Sequence, residues 1–261
     1  MENPLLEIKN VYINYGNKCV VEDFSISLNK GEILGIVGES GSGKTTVLKS
    51  IIGILGHTGH ITNGKIFFDG NDLLCIDDEE FRKLRGPGIG FVFQNCGASL
   101  CPIRTVGDQL YEFMNEHIKI SKKDMNTQAL ELMKNINFTH GERILDSYPF
   151  EMSGGMNQRI GILMAMMMKP KLILADEPTS ALDVTVQAQV VKELMRLRDI
   201  YNTGIIIVTH NIGLVSFMAD KVAVMHKGKL IEYGSKEDII KHPKMEYTKN
   251  LIASVPMISK E

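Results

Sequence analysis

The chain carries at residues 38–45 the sequence GESGSGKT, and this stretch decides how the rest of the chain is interpreted. It fits the pattern GxxxxGK[ST], follows the apolar run EILGIV at 32–37 and precedes an amphipathic stretch from Lys44 to Ile54. Together these features predict a buried strand, a glycine-rich turn and a helix. The glycines allow backbone N–H groups to converge on a phosphate, because no side chain blocks the approach. The helix presents its positive N-terminus to the same anion.

This phosphate-binding loop predicts nucleotide contacts for particular residues. Lys44 is expected to reach the β- and γ-phosphates, and the hydroxyl of Thr45 is expected to ligate Mg²⁺. The predicted nucleotide contacts in and beside the loop are Gly38, Ser40, Gly41, Gly43, Lys44, Thr45 and Thr46. The loop by itself does not distinguish kinases, GTPases and transport ATPases.

Outside the loop, the hydrophobic pattern predicts strands that alternate with helices. Residues Leu6 to Leu28 alternate apolar and polar side chains around the turn Tyr15-Gly16-Asn17, which is typical of antiparallel strands. Further buried strands are predicted at Ile89–Phe93, Leu172–Ala175 and Ile205–Val208, and helical stretches at Val106–Asn135 and Val184–Ile200. This order indicates an α/β protein with a mostly parallel sheet, into which the helical middle of the chain is inserted.

Two acidic residues follow the apolar strand Leu172–Ala175. Asp176 lies where a buried strand emerges into a pocket, the position expected for a residue that holds Mg²⁺. Its neighbour Glu177 is predicted to point to the other face of the strand and to orient or deprotonate an attacking water. Downstream of a phosphate-binding loop, this pair favours nucleotide hydrolysis over a strand end that merely meets the surface.

A second glycine-containing element, MSGGM at 152–156, precedes the two acids by about one helix and is followed by QR at 158–159. It resembles the LSGGQ signature of the ATP-binding cassette (ABC) ATPases, with Met in place of the first Leu and of the last Gln. Ser153, Gly154 and Gly155 at a helix N-terminus form a second anion cradle. Two cradles on one chain suggest that each ATP is sandwiched between two chains.

The resemblance to ABC ATPases extends from Leu6 to Pro256 and implies roles for residues that the pattern alone leaves without one. Tyr15 occupies the position of the aromatic residue that stacks on adenine. Gln94 is similar to the glutamine that senses Mg²⁺ and the γ-phosphate. His210 is similar to the histidine that hydrogen-bonds the γ-phosphate and holds the geometry of the water and the glutamate.

The stretch SALD at 180–183 resembles the loop that crosses to the partner cassette, and Asp183 is taken as a nucleotide contact. Two positions depart from the family pattern. Met156 lacks the amide of the usual Gln, and Asn211 stands where many relatives have Asp. Neither departure replaces a predicted catalytic residue, so the resemblance implies an active ATPase. The predicted catalytic residues are Glu177, His210 and Gln94, and the predicted Mg²⁺ ligands are Thr45, Gln94 and Asp176.

The resemblance also implies the architecture: an α/β P-loop NTPase fold of the ABC type, with an N-terminal antiparallel β-subdomain, a RecA-like core and an inserted helical subdomain. The whole chain, 1–261, is expected to be a single ABC ATPase domain. Within it, residues of approximately 95–165 would contain the Q-loop, the helical subdomain and the signature. The β-subdomain and core would occupy 1–94 and 166–240, and 241–261 would be a short tail.

Stretches outside the catalytic motifs resemble the ATPases of peptide and nickel importers. They are YPFEMSGGM at 148–156, SLCP at 99–102, HP at 242–243 and YTK at 247–249. Relatives specific for peptides carry a C-terminal extension with clustered cysteines, whereas this chain stops at Glu261, which favours the shorter nickel or metal-chelate type. The solute stays open between nickel, a metal chelate and a short peptide. Cys96 and Cys101, which replace Pro and Asn of the family, have no assigned role.

Charge and composition bear on the partners. The net charge of −2 gives no reason to expect nucleic-acid binding, and the start MENPLLEIKN lacks the basic and apolar regions of a signal peptide. The resemblance implies a second ABC ATPase (a related chain or a second copy), two membrane permeases and, indirectly, a solute-binding protein, at the cytoplasmic face of the cell membrane. A soluble ABC protein and an exporter cassette are the alternatives. A P-loop kinase would have no reason to keep the SGG element.

Overall fold

Strands and helices alternate along the chain, as the hydrophobic pattern predicts. The computed structural model describes residues 3–180 and 182–254, so that Ala181 of the SALD stretch and Pro256, where the family resemblance ends, lie outside the described residues. The strands are β1 (Leu6–Tyr15), β2 (Lys18–Leu28), β3 (Ile33–Val37), β4 (Gly59–Phe68), β5 (Asn71–Asp72), β6 (Ile89–Val92), β7 (Leu172–Asp176), β8 (Gly204–Thr209), β9 (Lys221–His226) and β10 (Lys229–Ser235). The helices are α1 (Lys44–Ile51), α2 (Asp78–Leu84), α3 (Cys96–Ser99), α4 (Val106–His117), α5 (Lys122–Asn135), α6 (Gly141–Asp146), α7 (Gly154–Met166), α8 (Val184–Tyr201), α9 (Ile212–Met218), α10 (Lys236–Lys241) and α11 (Glu246–Ala253).

The chain divides into two compact units. In its described part, the first unit is formed by residues 3–81 together with 204–254, and the second by Arg82–Thr203. The first unit therefore contains β1–β5, α1, β8–β10 and α9–α11, and the second contains β6, β7 and α3–α8.

In the first unit the strands follow one another in the order β5-β4-β1-β2-β10-β9-β3-β8. Strand β3 is buried at all five residues and pairs in parallel with both β8 and β9. A strand covered on both faces needs a continuous apolar run, which is what ILGIV supplies. Strands β1, β2 and β4 pair antiparallel, with Tyr15 opposite Lys18 across the predicted turn. The α/β class and the antiparallel N-terminal strands are confirmed.

In the second unit, β6 and β7 pair in parallel, with Ile89 opposite Leu172. The helical stretch predicted at Val106–Asn135 is two helices, α4 and α5. The break occurs because Ile118 has an extended backbone and the hydroxyl of Ser121 accepts the N–H of Asp124 at 3.1 Å, which starts a new helix.

The first helix of the chain is also shorter than predicted. Helix α1 ends at Ile51 rather than near Ile54, and Gly53 follows with a φ of 65°. A Cβ at Gly53 would lie 3.0 Å from the ring of Phe81, so glycine both ends the helix and leaves room for that ring. Within residues 3–180 and 182–254, no helix is long and apolar enough to cross a membrane.

Candidate functional site

The glycine-rich loop between β3 and α1 has a backbone that side chains would obstruct. A Cβ at Gly38 would lie 2.1 Å from the carbonyl oxygen of Met225, and Gly43 has a φ of 100°. Gly43 is also the N-cap of α1, where no side chain caps the helix and no acidic residue lies in the first turn. A helix N-terminus with no side-chain cap and no acid in its first turn favours an anion. The loop therefore fits the triphosphate that its sequence predicts.

The side chain of Lys44 lies within this loop. The residue is only 4% exposed, and its Nζ donates to the carbonyl oxygens of Gly38 at 2.8 Å and Glu39 at 2.7 Å. The ammonium group is thus held by backbone carbonyls of the loop that it serves. This places a positive charge beside the N–H groups that would contact phosphate.

A further predicted residue, His210, lies at the same end of the first unit's sheet as the glycine-rich loop. Val37 of β3 pairs with Thr209 of β8, so Gly38 and His210 leave neighbouring parallel strands side by side. His210 is exposed. The next residue, Asn211, caps α9 by accepting the N–H of Leu214 at 3.1 Å. Asn and Asp serve equally well as N-caps, so this departure from the family pattern keeps its structural role.

Tyr15 is the last residue of β1 and is half-buried. Its ring lies against Gly59 of β4, where a Cβ would come within 2.9 Å of the ring carbon Cε1. The absence of a side chain at Gly59 therefore makes room for the Tyr15 ring. Stacking of Tyr15 on adenine stays a prediction.

The two acids at the end of β7, Asp176 and Glu177, differ in environment. Asp176 is the last residue of β7 and is 8% exposed, whereas Glu177 is half-buried and leaves the strand with a φ of 43°. The expected alternation of the two side chains across the strand does not apply, because Glu177 has left the extended conformation. A non-glycine residue in the left-handed region is uncommon and is typical of sites where function constrains the backbone.

Gln94 and Glu177 are brought together directly. The Nε2 of Gln94 donates to Oε2 of Glu177 at 3.2 Å and to Oγ of Ser180 at 3.4 Å. The residue predicted to sense Mg²⁺ and the γ-phosphate is thus hydrogen-bonded, within the second unit, to the residue predicted to act on the attacking water. Ser180, part of the SALD stretch, is a third member of this group.

The signature residues and Asp183 start two helices of the second unit. Ser153 caps α7 by accepting the N–H of Met156 at 3.3 Å, and Asp183 caps α8 by accepting the N–H of Val186 at 3.0 Å. A Cβ at Gly155 would lie 2.8 Å from Cγ1 of Val186, so the two helix starts pack closely. Gly154, in contrast, has no atom within 4 Å of a Cβ and leaves open space at the start of α7.

Gln158 holds the segment around Gln94 and was given no role by the sequence. It is buried, its Nε2 donates to the carbonyl of Phe93 at 3.1 Å, and its Oε1 accepts the N–H of Cys96 at 3.3 Å. The two bonds lie on either side of Gln94 and attach it to α7. A polar residue on the apolar side of α7 was the available signal.

Cys96 packs against α7 beside the segment that Gln158 holds. Its thiol donates to the carbonyl of Phe93 at 3.3 Å, and a Cβ at Gly161 of α7 would lie 2.1 Å from its Sγ. Burial raises the pKa of the thiol to about 11. Cys96 is therefore a neutral packing residue between α3 and α7.

A buried ion pair joins α7 to α8. Nη2 of Arg159 lies 2.6 Å from Oε1 of Glu193, and the guanidinium stands 3.9 Å from the centre of the Phe138 ring. Burial raises the pKa of Glu193 more than Arg159 lowers it. Because α7 begins at the signature and α8 at Asp183, the pair fixes the relative position of these two helices.

A family model and curated relatives each match more than half of this chain. The family model described as "ABC transporter" matches residues 21–180. The dipeptide transport ATP-binding protein DppD of Lactococcus lactis is 39% identical over 98% of this chain and 75% of its own length. The oligopeptide transport ATP-binding protein OppD of Haemophilus influenzae is 38% identical over 98% of this chain and 80% of its own.

Solved structures agree with the sequence relatives. CbiO1 of Clostridium perfringens, part of an ABC transporter complex, superposes with a TM-score of 0.81 at 26% identity and covers 92% of each chain. The ATP-binding cassette MJ0796, in a dimeric post-hydrolysis state bound to ADP and Pi, superposes with a TM-score of 0.76 at 29% identity. That match covers 88% of this chain and 98% of MJ0796.

Proposed function

This chain belongs to the ABC transporter family, and on that premise we propose that it is the ATP-hydrolysing subunit of an importer for short peptides. The observation that carries the peptide assignment is the match along nearly the whole chain to ATP-binding proteins of dipeptide and oligopeptide transport. Nickel and metal chelates, the type that the sequence favours, are the alternative solutes in the test. The chain is an ATPase, and its substrate ATP enters at the glycine-rich loop.

The first unit supplies the contacts to the nucleotide. Lys44 and the loop backbone bind the triphosphate, with the roles predicted for Gly38, Ser40, Gly41, Gly43 and Thr46, and Tyr15 stacks on adenine. The open start of α1 and the burial of Lys44 among loop carbonyls support this assignment. His210 emerges beside the loop and hydrogen-bonds the γ-phosphate.

The donor set predicted for Mg²⁺ is a hydroxyl (Thr45), a carboxylate (Asp176) and an amide oxygen (Gln94). These are hard oxygen ligands of the kind that Mg²⁺ takes, and the nearly buried carboxylate of Asp176 suits a divalent cation. When bound, Mg²⁺ would neutralise charge that develops on the phosphate oxygens.

Glu177 is the residue we assign to the attacking water. Its carboxylate takes a proton from the water as the water oxygen bonds to the γ-phosphorus, and the bond from that phosphorus to the bridging oxygen breaks to leave ADP and phosphate. The amide of Gln94 holds the carboxylate through the 3.2 Å hydrogen bond. A held carboxylate needs less reorganisation in the transition state.

A second ABC ATPase completes the site. Ser153, Gly154 and Gly155 are assigned to the phosphate of the partner's ATP, and Asp183 to a nucleotide contact on the loop that crosses to the partner. The open space at Gly154 and the 81% exposure of the apolar Val184, next to Asp183, support a covering surface here. The partner is a related chain or a second copy.

The remaining partners are two permeases and, indirectly, a solute-binding protein, with the chain on the cytoplasmic face of the membrane. We also propose that the whole chain acts as one ABC ATPase domain. Its Q-loop, helical subdomain and signature occupy approximately 95–165, and the short tail begins near 241.

The test is ATP hydrolysis by the assembled complex of both ATPases, permeases and solute-binding protein. A dipeptide, nickel and a nickel chelate are supplied in turn to the wild type and to Glu177→Gln. We expect the dipeptide to stimulate hydrolysis and Glu177→Gln to lower the rate by about a hundredfold or more. Glu131→Gln, an exposed acid on α5, is the matched control and should keep the wild-type rate.

The outcomes separate the parts of the proposal. Stimulation by nickel or its chelate alone would replace the peptide assignment. An unchanged rate in Glu177→Gln would remove Glu177 from its role. Hydrolysis that no solute or permease stimulates would point instead to a soluble ABC protein, and stimulation by an exported compound would point to an exporter.

A further inference from the structure

A tyrosine from α11, the last helix of the described residues, contacts the phosphate-binding loop. Tyr247, in α11, accepts the backbone N–H of Glu39 with its hydroxyl oxygen at 3.0 Å. Both residues belong to the first unit, although 208 positions separate them in the sequence. The stretch YTK at 247–249 was noted only as a family resemblance, and the catalytic roles above leave it without a function.

The bond from Tyr247 acts on the same peptide group as the bond from Lys44. The peptide between Gly38 and Glu39 gives its carbonyl oxygen to Nζ of Lys44 at 2.8 Å and its N–H to Tyr247 at 3.0 Å. Because a peptide group is planar, a turn of the N–H away from Tyr247 would also turn the carbonyl away from Lys44. The tyrosine hydroxyl therefore stabilises the orientation of the carbonyl that holds the lysine.

Tyr247 is itself held in place. Its ring centre lies 4.2 Å from that of His226, the last residue of β9. The next residue along the helix, Thr248, is fully buried, which anchors α11 in the first unit. Burial raises the pKa of Tyr247 above its ordinary value.

The turn that follows His226 contacts the loop as well. The N–H of Gly228 donates to the carbonyl of Ser42 at 3.1 Å, and the carbonyl of Met225 occupies the space next to Gly38. The turn thus supports the loop near Ser42 and Gly38, while Tyr247 supports it at Glu39. The contact from Tyr247 depends on one hydroxyl oxygen. Substitution by Phe therefore removes this hydrogen bond and leaves the contacts of the turn in place.

We propose that Tyr247 is a positioning residue for ATP binding, which orders the Gly38–Glu39 peptide and with it Lys44 before the nucleotide arrives. This inference rests on the proposed role of the loop as the triphosphate site. A loop that is ordered in advance does not have to lose conformational freedom on binding, so loss of the hydroxyl weakens ATP binding. Hydrolysis at saturating ATP should change little, because Tyr247 does not touch the reacting atoms.

The experiment compares Tyr247→Phe with Tyr233→Phe in the full chain. Tyr233 is a matched control, because its hydroxyl donates to the carbonyl of Ser27 at 2.8 Å and so also bonds the backbone, on strands away from the loop. The equilibrium Kd for MgATP and thermal unfolding are measured for both. Hydrogen exchange of the Glu39 amide is followed in the absence of nucleotide.

We expect Tyr247→Phe to raise the Kd for ATP by about fivefold, the ratio that corresponds to one hydrogen bond, and to accelerate exchange at Glu39. Tyr233→Phe should leave both unchanged even if it lowers the unfolding temperature as much. Equal Kd values in Tyr247→Phe and wild type, or unchanged exchange at Glu39, would overturn the inference while ATP binding by the wild type stands. Failure of the wild type to bind ATP would instead overturn the proposed function, and this inference with it.

Discussion

The amide of Gln94 donates to the carboxylate of Glu177 at 3.2 Å, and the segment on both sides of Gln94 is bonded to the side chain of Gln158. The residue assigned to the attacking water is therefore connected through one glutamine to the signature helix α7. A displacement of α3 relative to α7 would change the position of the Gln94 amide and hence the support of Glu177. This chain of contacts lies wholly within the second unit.

Removal of the Gln94 amide should lower the rate of hydrolysis. In Gln94→Ala the Glu177 carboxylate loses a donor, and we expect kcat to fall by about tenfold, equivalent to about 1.4 kcal/mol of barrier. Steady-state hydrolysis by the assembled complex measures this. Gln128→Ala, an exposed glutamine on α5, is the control. A kcat equal to wild type would show that the hydrogen bond does not matter for the reaction.

Loss of the Gln158 side-chain amide should destabilise the second unit. Gln158→Leu is similar in size but removes the acceptor of the Cys96 N–H and leaves the carbonyl of Phe93 with the thiol of Cys96 as its donor. We expect the free energy of unfolding to fall by about 2–4 kcal/mol. Urea denaturation measures it, with Gln128→Leu as the exposed control. Equal stability of Gln158→Leu and the control would mean that water or another group replaces both bonds.

The close approach of Cys96 to Gly161 predicts a pair of compensating substitutions. Gly161→Ala places a Cβ 2.1 Å from Sγ of Cys96, and we expect this overpacking to cost about 1–3 kcal/mol of stability. Cys96→Gly removes the clashing atoms, so the double variant should recover at least half of that loss. The double-mutant cycle is measured by thermal unfolding. Strictly additive effects would contradict the contact.

The raised pKa of Cys96 predicts a decrease in stability at high pH. The folded chain keeps the thiol proton up to about pH 11, whereas the thiol of the unfolded chain ionises near 9.0. The stabilisation by the buried neutral thiol is complete below pH 9 and is lost between pH 9 and 11. The free energy of unfolding falls by about 2–3 kcal/mol at most. The free energy of unfolding of the wild type, minus that of Cys96→Ala, is compared at pH 8 and 10.5. A difference that does not change with pH would contradict a buried neutral thiol.

The local conformations around the candidate site were predictable because they depend on short-range patterns. The glycine spacing of residues 38–45, the acids after Leu172–Ala175 and the SGG element each specify a backbone conformation within a few residues. The signals were weaker where one residue ends an element, as at Gly53 and at Ser121, since a hydrophobic period continues across such positions. Glu177 shows the same limit, because strand alternation gives no information once the chain leaves the strand.

The family, the α/β class and the glycine-rich turn between a buried strand and a helix can be derived from the amino-acid order alone, because they follow from residue types at fixed short spacings. Three contacts appear only when the chain is folded: Gln94 bonds Glu177, Gln158 holds the segment around Gln94, and Tyr247 bonds the peptide next to Gly38. Each of these contacts joins residues far apart in the chain. Their geometry is set by the pairing of strands and the packing of helices, and no local pattern encodes it.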